Sequence, residues 1–426
     1  MVYPAFFTRL LARSGVARFL PAVQRIMGSN GAFLRYYSDR VLAAPHEELK
    51  RAAAFLELPG QDGIDLALPA PRFDLVPSAS TKLPADRRGW PPARGLPELR
   101  EAIADSLRVE HGLSVHAGDE VLVTLGAAGA FSVLLDSFVN PGDRVVLFDP
   151  TSPLYPLALR QRRARVRWLP CWTEDGRTRF RLDLLAKALR GARLLVVNSP
   201  SNPAGGIIAG EDLEQIAWWA SRRDVLILSD EVFARYRYEG NPVSIGSLPR
   251  ARQRTLTAGS ISKGCALAAT RVGWLAGCNH LIRPCAMTAV VQGMLVPTLC
   301  QQIAFSALRM GSESFEPIRL KFESRRRYAF ERLQALGLKP DWPTGGFFLW
   351  ASVKELGLTG WAFAEKLLAS QKVLVSPGEF FGPSGHNHIR VSYATEDGRL
   401  REGLSRLGEC IRAMQAGQTA HARKAA

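Results

Sequence analysis

No stretch of this chain reaches the roughly 20 consecutive apolar residues that a membrane-spanning helix needs, so no membrane span is expected. Cysteine is sparse: Cys171, Cys265, Cys278, Cys285, Cys300 and Cys410 are six in 426 residues, and none forms a Cys-x-x-Cys pair. That spacing offers neither a zinc site nor a disulfide framework, so no metal is expected and a reducing, cytoplasmic setting is favoured. Internal repeats and low-complexity tracts are missing, which excludes solenoids and propellers. Acid is scarce at the start. Residues 1–40 carry Arg9, Arg13, Arg18, Arg25, Arg35 and Arg40, with Asp39 the only acidic residue. The segment is too charged for a secretory signal. It reads as an arm that packs on the body or on a partner subunit, with an organelle transit peptide or a membrane-surface helix as the alternatives.

What is present is an ordinary globular balance, 47% apolar and 22% charged residues, with a formal net charge of +16. The arginine excess clusters at Arg160, Arg162, Arg163, Arg165 and Arg167 and again at Arg325, Arg326 and Arg327. Neither cluster belongs to a recognisable nucleic-acid module, so both read as solvated faces and no nucleic-acid partner is expected.

Short β-branched runs at 121–124, 145–149, 166–169, 194–198, 225–229, 254–258 and 272–276 alternate with helical patterns such as 181–189 and 211–222. Alternation of this kind predicts an α/β fold, a largely parallel seven-stranded sheet covered by helices. A long helix at 314–336, then strands at 346–351, 372–375 and 388–393, predict a smaller α+β domain that also draws on the N-terminal end. The expected division is an arm at 1–60, a large domain at 61–313, a small domain at 314–415 and a flexible tail at 416–426.

Sites in parallel sheets gather at the carboxyl ends of strands, and the loops there carry the chemistry. Gly126-Ala127-Ala128-Gly129 follows a strand and opens a helix, where small residues let backbone N–H groups approach a phosphate. Asn202 stands in a loop fixed by Pro200 and Pro203. Asp230 ends an apolar strand, where an acid must be partnered or act as a helix cap. Ser260-Ile261-Ser262-Lys263 precedes Arg271 by a few residues. Two hydroxyls, an amine and a guanidinium suit a phosphate beside a nucleophilic lysine. Arg390 lies inside the apolar run His388-Ile389-Arg390-Val391-Ser392, where a buried arginine waits for a carboxylate. Each signal alone is weak; a turn, a cap or a structural ion pair explains any one of them.

In this order and spacing the set resembles the class I/II aminotransferases, fold-type-I enzymes dependent on pyridoxal 5'-phosphate (PLP). The resemblance runs from about Asp65 to about Cys410. It includes Trp90-Pro91-Pro92-Ala93-Arg94-Gly95, Pro343-Thr344-Gly345-Gly346-Phe347-Phe348 and Ser376-Pro377-Gly378-Glu379-Phe380-Phe381-Gly382. It implies that Lys263 carries the cofactor and shuttles the substrate proton. Asp230 would pair with the pyridine nitrogen and Asn202 would hydrogen-bond the ring hydroxyl. Ser260, Ser262, Arg271 and the Ala127 and Ala128 amides would hold the phosphate. Arg390, with Asn202 beside it, would bind the substrate carboxylate. The resemblance also implies a homodimer acting on amino acids and 2-oxo acids.

Three positions depart from the family pattern. Ser152 stands where an aromatic residue usually stacks on the ring, Phe233 where a tyrosine usually donates to the ring oxygen, and Trp90 where a tyrosine usually reaches the neighbouring subunit's phosphate. The expected activity is amino-group transfer. A lyase, decarboxylase or oxidase on the same scaffold is the alternative, because these reactions share their first step. A non-catalytic PLP-binding protein is the alternative of another class, disfavoured by the retained Lys263 and Arg390.

Overall fold

The computed structural model describes residues 63–67, 70–71, 89–240, 243–311 and 313–425, with side chains described through 416. The expected arm at 1–60 lies outside the described residues.

Among the described residues, fourteen strands appear, in three sheets. They are β1 (Ile64–Asp65), β2 (Val121–Leu125), β3 (Arg144–Asp149), β4 (Arg165–Glu174), β5 (Arg177–Phe180), β6 (Leu194–Asn198), β7 (Leu226–Asp230), β8 (Thr255–Ser260), β9 (Val272–Gly277), β10 (Lys339–Pro340), β11 (Phe348–Ser352), β12 (Val373–Leu374), β13 (Ser376–Pro377) and β14 (His388–Ser392). The large sheet has the order β2-β9-β8-β7-β6-β3-β4-β5. Strands β8, β7, β6, β3 and β4 run parallel, and β9 is antiparallel to both its neighbours. The seven expected strands are all there. The eighth, β5, is an antiparallel addition through the hairpin at Asp175-Gly176.

The inner parallel strands β3, β6 and β7 are mostly apolar because both faces are covered, whereas β4, nearer the edge, carries Arg165 and Arg167. In β6, Leu194 and Val196 join the core beneath the helices Gly126–Phe138 and Asn279–Val291, while Leu195 and Val197 join the core beneath Gly210–Arg223. This two-residue alternation sorts the side chains to the two faces. The register pairs Asn198 with Asp230 and Asp230 with Ala258. The polar ends of β6, β7 and β8 therefore share one edge.

The C-terminal unit has its own core. Phe322, Ala329 and Leu333 of the helix Glu316–Ala335, Phe363 and Leu367 of Gly360–Gln371, and Leu400, Leu404 and Leu407 of Asp397–Ala425 pack on the sheet β10-β11-β14-β13. Their helical spacing makes one apolar stripe per helix. Ile64, Leu66 and Ala67 belong to this core, and β1 pairs in parallel with β12. The run at 372–375 is divided between β12 and β13, because Val373–Leu374 pairs with β1 while Ser376–Pro377 pairs with β14. Beyond residue 416, where a flexible tail is expected, the last helix continues to Ala425.

Candidate active site

The carboxyl edge of the large sheet meets the C-terminal unit at a cluster of buried polar groups. Asp230 ends β7 and is 8% exposed. Its carboxylate accepts from the Tyr155 hydroxyl and from the Val232 backbone N–H at 3.2 Å. Burial pushes Asp230 above the usual carboxylate range, while the Tyr155 hydrogen bond and the nearby Lys263 pull it back. Tyr155 is itself fully buried, and burial next to Asp230 holds its hydroxyl protonated as a donor.

Lys263 sits in the short helix Ile261–Gly264 that follows β8. Ser260 caps this helix, its Oγ accepting from the Ser262 N–H at 3.1 Å. Burial, then Arg390 and Arg271, bring the Lys263 amine down to about 8, with Asp230 opposing. An amine near pKa 8 has a substantial neutral, nucleophilic fraction at neutral to mildly alkaline pH.

Arg271 adopts left-handed backbone, φ 55°, and its guanidinium lies against the turn at Gly126. A Cβ on Gly126, at φ +69°, would stand 2.8 Å from Arg271 Nη2, and one on Gly273 would stand 2.8 Å from the Ala127 nitrogen. Glycine is thus required twice where the guanidinium meets the start of the helix Gly126–Phe138. Ser260 Oγ lies 2.9 Å from Ser262 Oγ. These hydroxyls, the guanidinium and a helix N-terminus with open amides form an anion cradle.

Arg390 is contributed by β14 and is 5% exposed. Its guanidinium lies over the rings of Phe348 and Phe381, 4.1 and 4.9 Å from their centroids. Nη1 donates to Asn202 Oδ1 at 2.8 Å, and Nη2 donates to the Ala67 carbonyl at 2.8 Å and Ser376 Oγ at 3.1 Å. Nε is buried with no partner. Burial lowers Arg390 to about 9, with Asp65 opposing, so the group stays cationic at neutral pH.

Lys263, Asp230, Asn202, Ser260, Ser262, Arg271, Ala127 and Arg390 therefore meet where β6, β7 and β8 end. Ala128, beside Ala127 in the same turn, is exposed, and Ser152 is half-buried in the loop between β3 and Tyr155. Phe233 is buried, edge-on to Phe347 and Phe348 at 5.3 and 5.5 Å, so it ties the large sheet to the C-terminal unit. Trp90 is 91% exposed. Sequence reasoning assigned Tyr155 no role, although it is the side-chain donor to Asp230. It also passed over Tyr236, whose hydroxyl donates to the Lys263 carbonyl at 2.9 Å. Neither tyrosine carries a local sequence mark of such a partner.

The donor set fits PLP. The anion cradle suits the phosphate, the buried acid suits a protonated ring nitrogen, and the depressed amine suits an aldehyde. Arg390 Nε, without a partner among the described residues, marks a guanidinium whose hydrogen bonds are incomplete among them.

Comparison with known proteins agrees with this chemistry. The profile described as Aminotransferase class I and II matches residues 61–407. An aspartate aminotransferase of Pyrococcus abyssi is 31% identical over 360 residues, which cover 83% of this chain and 92% of the relative. An aspartate/prephenate aminotransferase of Thermus thermophilus is 33% identical over 395 residues, 89% of this chain and 99% of the relative. The solved structure of Thermus thermophilus aspartate aminotransferase with maleate superposes with a TM-score of 0.80 at 31% identity, covering 88% of this chain and 99% of the other. A match of this extent, over a chain that folds as α/β around a buried lysine and acid, means that the protein belongs to the class I and II aminotransferases and is a PLP-dependent enzyme of fold type I.

Proposed function

We propose that this aminotransferase takes a monocarboxylic α-amino acid as donor, with Arg390 as the carboxylate clamp and Lys263 as the proton carrier. The observation that carries the reading is the incomplete Arg390 guanidinium, buried between two aromatic rings and bonded to Asn202. A planar guanidinium in this state recognises a carboxylate as a two-pronged pair. Arg390 and Arg271 are the cations that depress Lys263. Arg271 is committed to the cradle at Gly126, which leaves Arg390 alone for substrate.

PLP, when bound, supplies an aldehyde that captures the substrate amine and a ring that draws electrons from the α-carbon. Asp230 would hold the proton on the ring nitrogen, with Tyr155 fixing the carboxylate. Ser260, Ser262, Arg271 and the Ala127 and Ala128 amides would hold the phosphate. Asn202 would hydrogen-bond the ring hydroxyl while orienting Arg390. Lys263, neutral at mildly alkaline pH, would take the proton from the substrate α-carbon and return it to the cofactor side. Ser152 and Phe233 would leave the ring face and ring oxygen less constrained than in relatives that carry aromatic and hydroxyl groups there.

The working unit in this proposal is a cytoplasmic homodimer divided into a large domain at 61–313 and a small domain at 314–415, the small one also taking the segment at 63–67. The exposed Trp90, and the exposed Met287, Val290 and Val291 of the helix Asn279–Val291, support a protein partner. The six unpaired thiols support a reducing compartment.

A panel of single amino donors incubated with the PLP-loaded enzyme tests the reading. Neutral monocarboxylic donors should convert bound PLP to pyridoxamine phosphate. Preferential turnover of aspartate or glutamate would refute the donor class, and a new product with PLP regenerated would point to a lyase.

A further inference from the structure

We propose that a cavity between the β4–β5 hairpin and the C-terminal unit, adjoining the cofactor site at Asn202, is a second ligand site that takes a small organic cation of the guanidinium or ammonium class. The cavity has a volume of about 210 Å³, several times the roughly 30 Å³ share of one water molecule. It lies over the ends of β3, β4 and β6, on the opposite side of Asn202 from β7 and β8, and so beyond Lys263 and Asp230 in the order of the sheet. Lys263, Asp230 and Arg390 do not line it. Its floor comes from the large sheet and its roof from Asp341, Trp350 and His388 of the C-terminal unit.

The wall is rich in acceptors and poor in positive charge. Thr178 is 5% exposed, and its Oγ1 is buried with no hydrogen-bond partner. His388 stacks flat on Trp350, with centroids 5.0 Å apart and planes 1° from parallel. Its Nδ1 is buried with no partner among the described residues. In the Nε2–H tautomer Nδ1 presents a lone pair. Burial pushes Asp341 up to about 6, against one hydrogen bond from Thr173. No lysine or arginine stands among the described lining residues. A carboxylate, an imidazole lone pair and a free hydroxyl around one enclosed space call for a ligand that is positive and donates several hydrogen bonds.

The three titratable groups on the wall are Asp341, His388 and Cys171. The Cys171 thiol is pushed up to about 12 by burial and by Asp149 behind it, so it stays neutral. Burial lowers His388, and its protonation in acid would add positive charge to the wall. Both Asp341 and His388 therefore make cation binding strengthen as pH rises through about 6 and level off above.

The test is calorimetric titration of the PLP-loaded enzyme at pH 8 with methylguanidinium chloride, against its neutral isostere N-methylurea at matched ionic strength. The expected result is one methylguanidinium per chain, bound at least tenfold more tightly than the urea, with the visible absorbance of the cofactor unchanged. Asp341→Asn should weaken binding about tenfold or more, and Thr178→Val severalfold. Thermal melts of both variants verify folding, and the valine variant keeps the charge while removing the orphan hydroxyl. The proposal is overturned by absence of saturable binding, by equal affinity for the two probes, by loss of the cofactor absorbance on binding, or by undiminished affinity in both folded variants.

Discussion

Tyr155→Phe isolates one hydrogen bond to the buried acid. The ring should keep its place, because Phe131 meets it edge-on at 5.2 Å and the substitution removes a single oxygen. What is lost is the side-chain donor to Asp230, leaving the carboxylate with the Val232 N–H at 3.2 Å. A hydrogen bond to a charged group is worth roughly 1.5–3 kcal/mol, which corresponds to about one to two pKa units. The sign follows from which form the bond favours. Tyr155 stabilises the carboxylate, so its removal raises Asp230 further above a value that burial has already raised. The protonated acid has no charge to set against a protonated ring nitrogen. The acid limb of the pH–rate profile should therefore move up by about one to two units. The assay is steady-state turnover from pH 5.5 to 9 with PLP affinity measured in parallel. An unmoved acid limb with unchanged PLP affinity would refute the reasoning, because it would mean that the Tyr155 hydroxyl does not govern the ionisation of Asp230.

Three further outcomes follow from the same geometry. Arg390→Lys keeps the charge but loses the fork and the bond to Asn202. It should raise KM for every donor by about 10-fold or more, from roughly 1.5–3 kcal/mol, with PLP affinity unchanged; steady-state kinetics and a PLP titration check both halves. The rate at which apoenzyme captures PLP should climb from pH 6 to about 9 and then level, because Lys263 titrates near 8 and only the neutral amine reacts; stopped-flow absorbance reads the midpoint. Gly126→Ala places a methyl 2.8 Å from Arg271 Nη2 in left-handed backbone, which costs about 1–2 kcal/mol from the backbone alone; thermal melting and a lowered affinity for PLP or inorganic phosphate report it.

The large sheet was legible because β3, β6 and β7 are mostly apolar runs that end in a polar residue. Asn198 and Asp230 stand at such ends, and the register lays them side by side. Lys263 and Arg390 were legible as charges inside apolar surroundings. Tyr155 gave no such sign, since its hydroxyl finds a partner 75 residues away and only the fold brings them together. The two-residue β1 was equally hidden: too short for periodicity, it is a strand only because β12 lies beside it. The split between β12 and β13 was missed because the two pieces are contiguous in sequence and differ only in partner. Phe233 was readable as a departure from the family, but not as the ring that Phe347 and Phe348 pack against. The second cavity had no sequence signature at all, for its wall is drawn from six strands and the loops between them.

The Arg390 guanidinium is anchored by the Ala67 carbonyl, 323 residues away along the chain. The segment that supplies this carbonyl leaves the ribosome well before β14 does. Closing a loop of that length carries an entropic cost that only a formed C-terminal core can offset. The large sheet, with its last strand complete at Gly277, can fold while the rest of the chain is still being made. The carboxylate clamp cannot. A nascent or C-terminally truncated chain would thus hold a formed phosphate cradle and Lys263 before it has any means of selecting a substrate, and specificity arrives last in the life of each molecule.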